Sequence, residues 1–500
     1  MNRRALAALP AAGALILLAG LSARPYGPSK LSPELIKAMH ADTPLPVWIY
    51  FTDKGVEGEG PLRTALAARR QELAAHAQWR RSKVRPEANL VDFEDLPVRS
   101  DYQEQAQARA IRVRTVSRWF NAVSVDATAD GIRSLAALDG VERLDIVRAF
   151  RRGETADLDA TGVPAAPSSG RAGGAAPEAS AGVRDPVYGA SYPQLAQVGV
   201  PALHKQGFSG KGVIVAMLDV GFRWNHEVFR LSHLVAQRDF VFKDNDVMQN
   251  AADPNDYSDA HGTATWSLLG GFKFGTMIGP AFGADFLLAK TEVGTSETPI
   301  EEDYWAAGIE WAEALGAEVV SSSLGYTDWY TFADMDGKTA VTTKAANRAV
   351  SLGVVVVNAA GNERHNAWGH IIAPADGFGV IAVGAVDSAG KIASFSSPGP
   401  TYDGRIKPEV CAWGVSNLVA ATAGDGSDTY VTGSGTSYAT PLAAGVVALL
   451  LEAHPDWTPT QVRNALMGTA ANAAAPNNDY GWGIIDAVAA VAYKPSARVR

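Results

Sequence analysis

Three residues far apart in the chain, Asp219, His261 and Ser437, have the types and local settings of an acid, a base and a nucleophile. Asp219 directly follows the apolar run Val213-Ile214-Val215-Ala216-Met217-Leu218, and Gly221 permits a sharp turn after it. A carboxylate at the C-terminal end of a strand is well placed to orient a histidine, although an aspartate there also starts ordinary turns. His261 opens His261-Gly262-Thr263, ahead of the apolar segment Ala264-Thr265-Trp266-Ser267-Leu268-Leu269. At a helix N-terminus the dipole disfavours imidazolium, which helps keep a base neutral. Ser437 sits among small residues at the start of a very apolar helix predicted over 437–453. Its N–H would point towards an incoming oxyanion, and Pro441 is expected to be tolerated as part of the first turn. Taken singly, the three also suit a turn, a structural histidine and a helix cap. His226, the competing histidine near Asp219, reads as a packing residue.

These residues need a rigid frame, and the patterning supplies one. Apolar runs at 213–218, 286–289, 354–357 and 380–383 lack polar alternation, as strands covered on both faces do. Helical stretches at 304–315 and 340–352 lie between them. The expected fold is α/β, a doubly wound parallel sheet whose sites form at the carboxyl ends of strands. Ahead of it, 47–51 reads as a strand, 62–80 as a helix, 120–125 as a strand, 131–138 as a helix and 141–147 as a closing strand. That short-range alternation predicts a small α+β, ferredoxin-like unit of the split βαβ kind.

The chain divides into four stretches. Residues 1–23 read as an export signal, with Arg3 and Arg4 before an Ala/Leu-rich run and Leu21-Ser22-Ala23 as a small-residue cleavage site. The α+β unit occupies 44–152, a linker rich in Ala, Gly, Pro and Ser covers 153–190, and the large domain covers 191–492. The linker composition cannot bury enough apolar surface to order itself, so flexibility and proteolysis are expected there. A secreted or periplasmic location follows from the signal, with no membrane attachment once it is removed. Cys411 is the only cysteine, which excludes an intramolecular disulfide and a cysteine zinc cluster. Residues 24–153 carry 21 basic and 17 acidic side chains, whereas 154–500 carry 21 basic and 36 acidic. The two parts attract weakly, and the acidic main domain argues against nucleic-acid binding.

The segments around the three residues, and several others, resemble the subtilase family of serine proteases. Asp219-Val220-Gly221 is similar to its Asp-Thr-Gly box and His261-Gly262-Thr263 to its His-Gly-Thr box. Gly435-Thr436-Ser437-Tyr438-Ala439-Thr440-Pro441 is similar to its Gly-Thr-Ser-x-Ala-x-Pro box, and the order Asp, His, Ser is that of subtilisin. Gly279-Pro280-Ala281-Phe282-Gly283-Ala284 and Asp403-Gly404-Arg405-Ile406-Lys407-Pro408 resemble further family segments. The resemblance implies that Asn362, in Ala359-Ala360-Gly361-Asn362, donates to the oxyanion from its side chain. It also implies that Ser323, Leu324, Gly325, Ala360 and Gly361 bind extended substrate. Val220, Ala264, Pro398 and Trp413 depart from the family's usual residues without removing a catalytic atom.

Residues 44–152 resemble the family's inhibitory propeptide, most tellingly at Ser117-Arg118-Trp119-Phe120-Asn121-Ala122-Val123-Ser124. The expectation is a self-processed zymogen, a monomeric serine endopeptidase acting on protein or peptide substrates, with its own propeptide as partner in cis. No cofactor or metal is required by the chemistry. Asp244, Asn245, Asp246, Asp253, Asp256 and Asp259 crowd one loop with hard oxygens of the kind calcium takes, though a solvated acidic loop has the same composition. Two rival readings are an inactive protein that keeps the fold for binding, and an esterase of the α/β-hydrolase type. The esterase requires a histidine after the serine, and only His454 follows Ser437.

Overall fold

A computed structural model describes residues 30–40, 43–147, 185–249, 259–293, 300–327, 330–422 and 427–495. The predicted signal, most of the linker, and Asp253 and Asp256 of the acidic loop lie outside these residues.

The N-terminal unit runs α1 (Pro33–Ala38), β1 (Leu45–Phe51), α2 (Glu59–Glu72), α3 (Ala75–Ser82), α4 (Ser100–Arg109), β2 (Arg112–Ser117), β3 (Ala122–Ala127), α5 (Ala129–Ala136) and β4 (Val141–Ile146). Its four strands pair antiparallel in the order β2-β3-β1-β4, the ferredoxin-like arrangement. The predicted helix over 62–80 is broken. Leu73 and Ala74 are extended, Gln78 Nε2 donates to the Arg70 and Leu73 carbonyls, and the Ala74 N–H donates to the Ala314 carbonyl. The chain leaves its helical path at the point where it meets the large domain, so tertiary docking overrides local propensity.

The large domain contains α6 (Tyr192–Ala196), α7 (Val200–Lys205), β5 (Ile214–Asp219), β6 (His233–Asp239), α8 (Ala260–Gly270), the short hairpin β7 (Phe272–Lys273) and β8 (Met277–Ile278), and β9 (Asp285–Lys290). There follow α9 (Ile300–Leu315), β10 (Val319–Ser322), α10 (Val341–Ser351), β11 (Val355–Ala359), β12 (Ile381–Val386), β13 (Val410–Trp413), the hairpin β14 (Asn417–Thr422) and β15 (Asp428–Gly433), α11 (Thr436–Ala453), α12 (Pro459–Thr469) and α13 (Ala487–Val491). Seven strands form one parallel sheet in the order β13-β12-β11-β10-β5-β9-β6. Its central strands are Val-, Ile- and Leu-rich because both faces are covered. One face packs on α8 and α11, and the other on α9 and α10. Among the described helices α11 alone has the length and hydropathy of a membrane span, and it is buried in this core.

Candidate active site

β5 and β10 are neighbours, with Leu218 opposite Ser322, so Asp219 and Ser323 leave the sheet side by side at its carboxyl edge. The first turn of α8 docks on that edge. A Cβ at Gly262 would collide with the Gly221 carbonyl and stand 3.1 Å from Asp219 Cβ, so glycine allows the approach. It brings His261 Nδ1 to 2.7 Å from Asp219 Oδ1. The Val220 N–H also donates to Oδ1, at 2.8 Å, and the Thr265 hydroxyl to Oδ2, at 3.0 Å. Thr265 was not singled out from sequence, although its place four residues after His261 puts both on one helix face.

The dipole at the start of α8 does not decide the protonation of His261. Burial pushes the imidazole towards neutrality, but the Asp219 carboxylate outweighs it by charge and by hydrogen bond. The net result is a pKa above the ordinary histidine value.

Ser437 lies in the first turn of α11, where helix N–H groups have no intrahelical acceptor. Gly435 precedes it at φ 156°, and the serine is half-buried. Pro441 lies beyond the first turn, contrary to the sequence expectation. It cannot donate back to the Ser437 carbonyl, and the Ser323 hydroxyl fills that role at 2.8 Å. In return the Ser437 hydroxyl donates to the Ser323 carbonyl at 3.1 Å.

Asn362 is exposed at the mouth of the same edge. Its Oδ1 accepts from the Thr436 N–H at 2.9 Å and the Thr436 hydroxyl at 3.1 Å. A backbone N–H can only donate, so this pairing orients the amide and turns Nδ2 outward. The buried Thr436 hydroxyl in turn accepts from the Gly361 N–H at 3.2 Å. Asn358 is occupied inside the fold, donating to the Leu324 and Ala359 carbonyls. Of the expected substrate-binding residues, Gly325 makes no backbone hydrogen bond within the described residues, which leaves its edge open to pairing. Ala360 has both backbone groups engaged internally, with the Val383 carbonyl and the Ile372 N–H, so it can serve only as a wall.

Comparison with known proteins gives the family. Residues 210–483 match the model of the subtilase family. The chain belongs to the subtilase family. Residues 46–160 of this subtilase match a peptidase S8 propeptide domain described for Bacteroidota. Subtilisin from Bacillus pumilus is 35% identical over 304 residues, which cover 59% of this chain and 97% of that one. Subtilisin Savinase from Lederbergia lenta is 32% identical over 297 residues, covering 59% and 97%. The crystal structure of fervidolysin from Fervidobacterium pennivorans, described as a keratinolytic enzyme related to subtilisin, shares the fold. Its TM-score is 0.58 at 22% identity, over 91% of this chain and 62% of that one. The protein is thus a subtilase with a propeptide domain, a serine-type endopeptidase of subtilisin-like α/β fold.

The remaining candidates find no chemical role. Cys411 is fully buried and burial pushes its thiol up to about 12, so it stays protonated and inert. Subtilisins need no cofactor for catalysis and commonly bind structural calcium. The described donors of the acidic loop do not form a calcium cage. Asp244 and Asp246 accept from N–H groups two residues on, while Asp259 accepts from the Gln249 N–H and pairs with Arg223 at 3.4 Å.

Proposed function

We propose that this subtilase cleaves peptide bonds by acyl transfer through Asp219, His261 and Ser437, and that it is exported as a zymogen whose first substrate is its own linker. The observation that carries the reading is the 2.7 Å Asp219–His261 pair at the sheet edge that also holds Ser437 and Asn362. Asp219 fixes the imidazole with Nδ1–H towards the carboxylate and stabilises its charged form. His261 takes the proton from the Ser437 hydroxyl as its oxygen attacks the substrate carbonyl carbon. Asn362 Nδ2 and the Ser437 N–H stabilise the oxyanion, the leaving amine collects the proton, and water repeats the sequence on the acyl-enzyme. Extended substrate pairs with the open Gly325 edge.

The propeptide match and the packing of the N-terminal unit against α9 support the zymogen. The esterase alternative finds no support. His454 lies 17 residues along α11 from Ser437, about 25 Å at 1.5 Å per residue, and it bonds the Val491 carbonyl. N-terminal sequencing of protein from wild type and Ser437→Ala tests the proposal. The wild type should begin within or after 153–190, and the variant should retain residues from after the signal. Equal processing in both would sink self-cleavage. Peptide hydrolysis that survives in Ser437→Ala would sink the catalytic assignment, and no hydrolysis in a fully processed wild type would favour a binding protein.

A further inference from the structure

The two backbone edges that flank the site lead directly away from the reacting groups. Ser323 touches Ser437 in both directions, and Gly361 immediately precedes Asn362. A substrate that sets its carbonyl carbon at Ser437 and its carbonyl oxygen at Asn362 sends the side chain before the scissile bond between these edges. Both edges present glycine there, Gly325 on one side and Gly361 on the other. Paired glycines would leave room for a large side chain, but the Ile372 side chain already lies against both. A Cβ at Gly325 would collide with Ile372 Cδ1 and Cγ1. One at Gly361 would stand 2.8 Å from Ser397 Oγ, 2.9 Å from Ile372 Cγ2 and 3.1 Å from Cδ1.

We propose that Ile372 closes the pocket for the residue preceding the scissile bond and restricts this protease to small side chains there, chiefly Ala, Gly and Ser. The inference rests on the reading of Ser437 as nucleophile and of 323–325 and 360–361 as substrate walls. Ile372 is held firmly. Its N–H donates to the Ala360 carbonyl at 3.2 Å, and Ala373 exchanges hydrogen bonds with Tyr326 across the opposite edge at 3.0 and 3.4 Å. A β-branched side chain so anchored has few rotamers to escape to. It is 7% exposed while its neighbour Ile371 is fully buried, as expected for the floor of a recess and not for the centre of a core. The chain's own linker fits the same restriction, since 153–190 is dominated by Ala, Gly, Pro and Ser.

The test is a set of peptides identical except for Gly, Ala, Val, Leu or Phe before the scissile bond. They are assayed with wild type, Ile372→Val, Ile372→Ala and Ser437→Ala. Wild type should favour Ala over Phe in kcat/KM by roughly a hundredfold, and Ile372→Ala should raise the Phe-to-Ala ratio by about tenfold or more. Ile372→Val removes one methyl, and should move the Leu-to-Ala ratio in the same direction even if the larger truncation fails to fold. Sequencing the processed wild type should place its new N-terminus after a small residue. Wild type that cleaves Phe as well as Ala, or ratios unchanged in the Ile372 variants, overturns the proposal while a dead Ser437→Ala keeps the catalytic reading intact. Hydrolysis persisting in Ser437→Ala overturns both.

Discussion

The two faces of the central sheet are sealed by different chemistry. On one side α8 and α11 pack with almost nothing but apolar and small side chains, and α11 is buried along nearly its whole length. On the other side α9 turns a row of buried carboxylates towards the propeptide. Glu310 accepts from the Ser117 hydroxyl at 2.9 Å and the Arg118 N–H at 3.2 Å, and pairs with the Arg118 guanidinium at 3.1 Å. Asp303 meets the Ser124 hydroxyl at 2.5 Å and Arg114 at 3.2 Å. Glu313 is bound by Arg80 and by Arg81, which also forks onto Asp95 at 2.8 and 2.9 Å. Glu318 holds Lys83 at 2.8 Å and His76 at 2.9 Å. Trp119 is the main apolar anchor amid these charges.

The difference bears on the proposed zymogen, in which the surface under the propeptide would be buried first and exposed later. An apolar face would be left as a large exposed patch once the propeptide departed, and such patches promote aggregation. Carboxylates and guanidiniums would regain water if the two parts separated as proposed, and no comparable apolar patch would be left. Buried ion pairs give little net stability, because desolvation cancels most of the Coulomb gain, but they penalise any mismatch heavily. On the proposed zymogen reading, such an interface would favour a matched partner more than it would add net affinity.

Ser437→Ala gives the largest effect and leaves both faces standing. Peptide hydrolysis should fall about a million-fold, the magnitude known for this serine in subtilisin itself. The precursor should stay intact with an unchanged melting temperature, because among the described residues the hydroxyl makes one hydrogen bond, to the Ser323 carbonyl. A large drop in melting temperature would mean that the site face depends on this residue structurally.

In that inert precursor the two faces can be broken separately. Glu313→Ala removes the carboxylate partner of Arg80 and one of the two carboxylates on Arg81, both arginines being without exposed surface, and should cost about 3–5 kcal/mol in urea unfolding. The separated catalytic domain should hardly register the change, since Glu313 then faces water. Leu449→Ala, in fully buried α11, should cost about 2–5 kcal/mol in both forms. Equal effects of Glu313→Ala in the two forms would erase the distinction between the faces. Asn362→Ala touches only the site. It should lower kcat about 10²- to 10³-fold with no change in propeptide affinity, measured by inhibition with the isolated propeptide.

How far the sequence revealed these faces depends on the range of the interactions. The proposed site could be named because Asp219 ends a strand, His261 and Ser437 start helices, and Asn362 follows a strand by three residues, each inside a local motif. The sheet was legible from continuous apolar runs. What could not be read was whatever depends on contact between distant segments. Examples are the Thr265 and Thr436 hydroxyls that orient Asp219 and Asn362, and the Ser323 hydroxyl that replaces the missing Pro441 donor. The same holds for the break at Leu73 that lets α3 swing Arg80 and Arg81 onto α9. Arg80 and Glu313 are 233 positions apart, and nothing in either neighbourhood announces the other.

The smallest effect concerns pH, and it separates the carboxylates of the propeptide face from one another. Burial raises Asp303 to about 6 in spite of Arg114 and Ser124, and burial likewise raises Glu310 against Arg118 and Ser117. Glu313 behaves oppositely. Burial would raise it, but Arg80 and Arg81 hold it down to about 2. A raised carboxyl stabilises the docked state fully below its ordinary pKa near 4, and that contribution is lost as pH rises through about 6. A depressed one contributes above its ordinary value near 4.3, and its contribution is lost only as pH falls through about 2. Between about pH 4.5 and 6 Glu313 is therefore constant, while Asp303 and Glu310 tighten docking as protons are added. The Ser437→Ala precursor should melt higher at pH 5 than at pH 7.5, with Asp303 supplying on the order of 1 kcal/mol of the difference, since pH 5 lies one unit below its raised pKa of about 6. Asp303→Asn, which cannot ionise, should flatten that share. Parallel melting profiles with and without the Asp303→Asn substitution would show that the Asp303 carboxyl docks with its ordinary acidity. The propeptide face would then lack the proton linkage that its buried carboxylates imply.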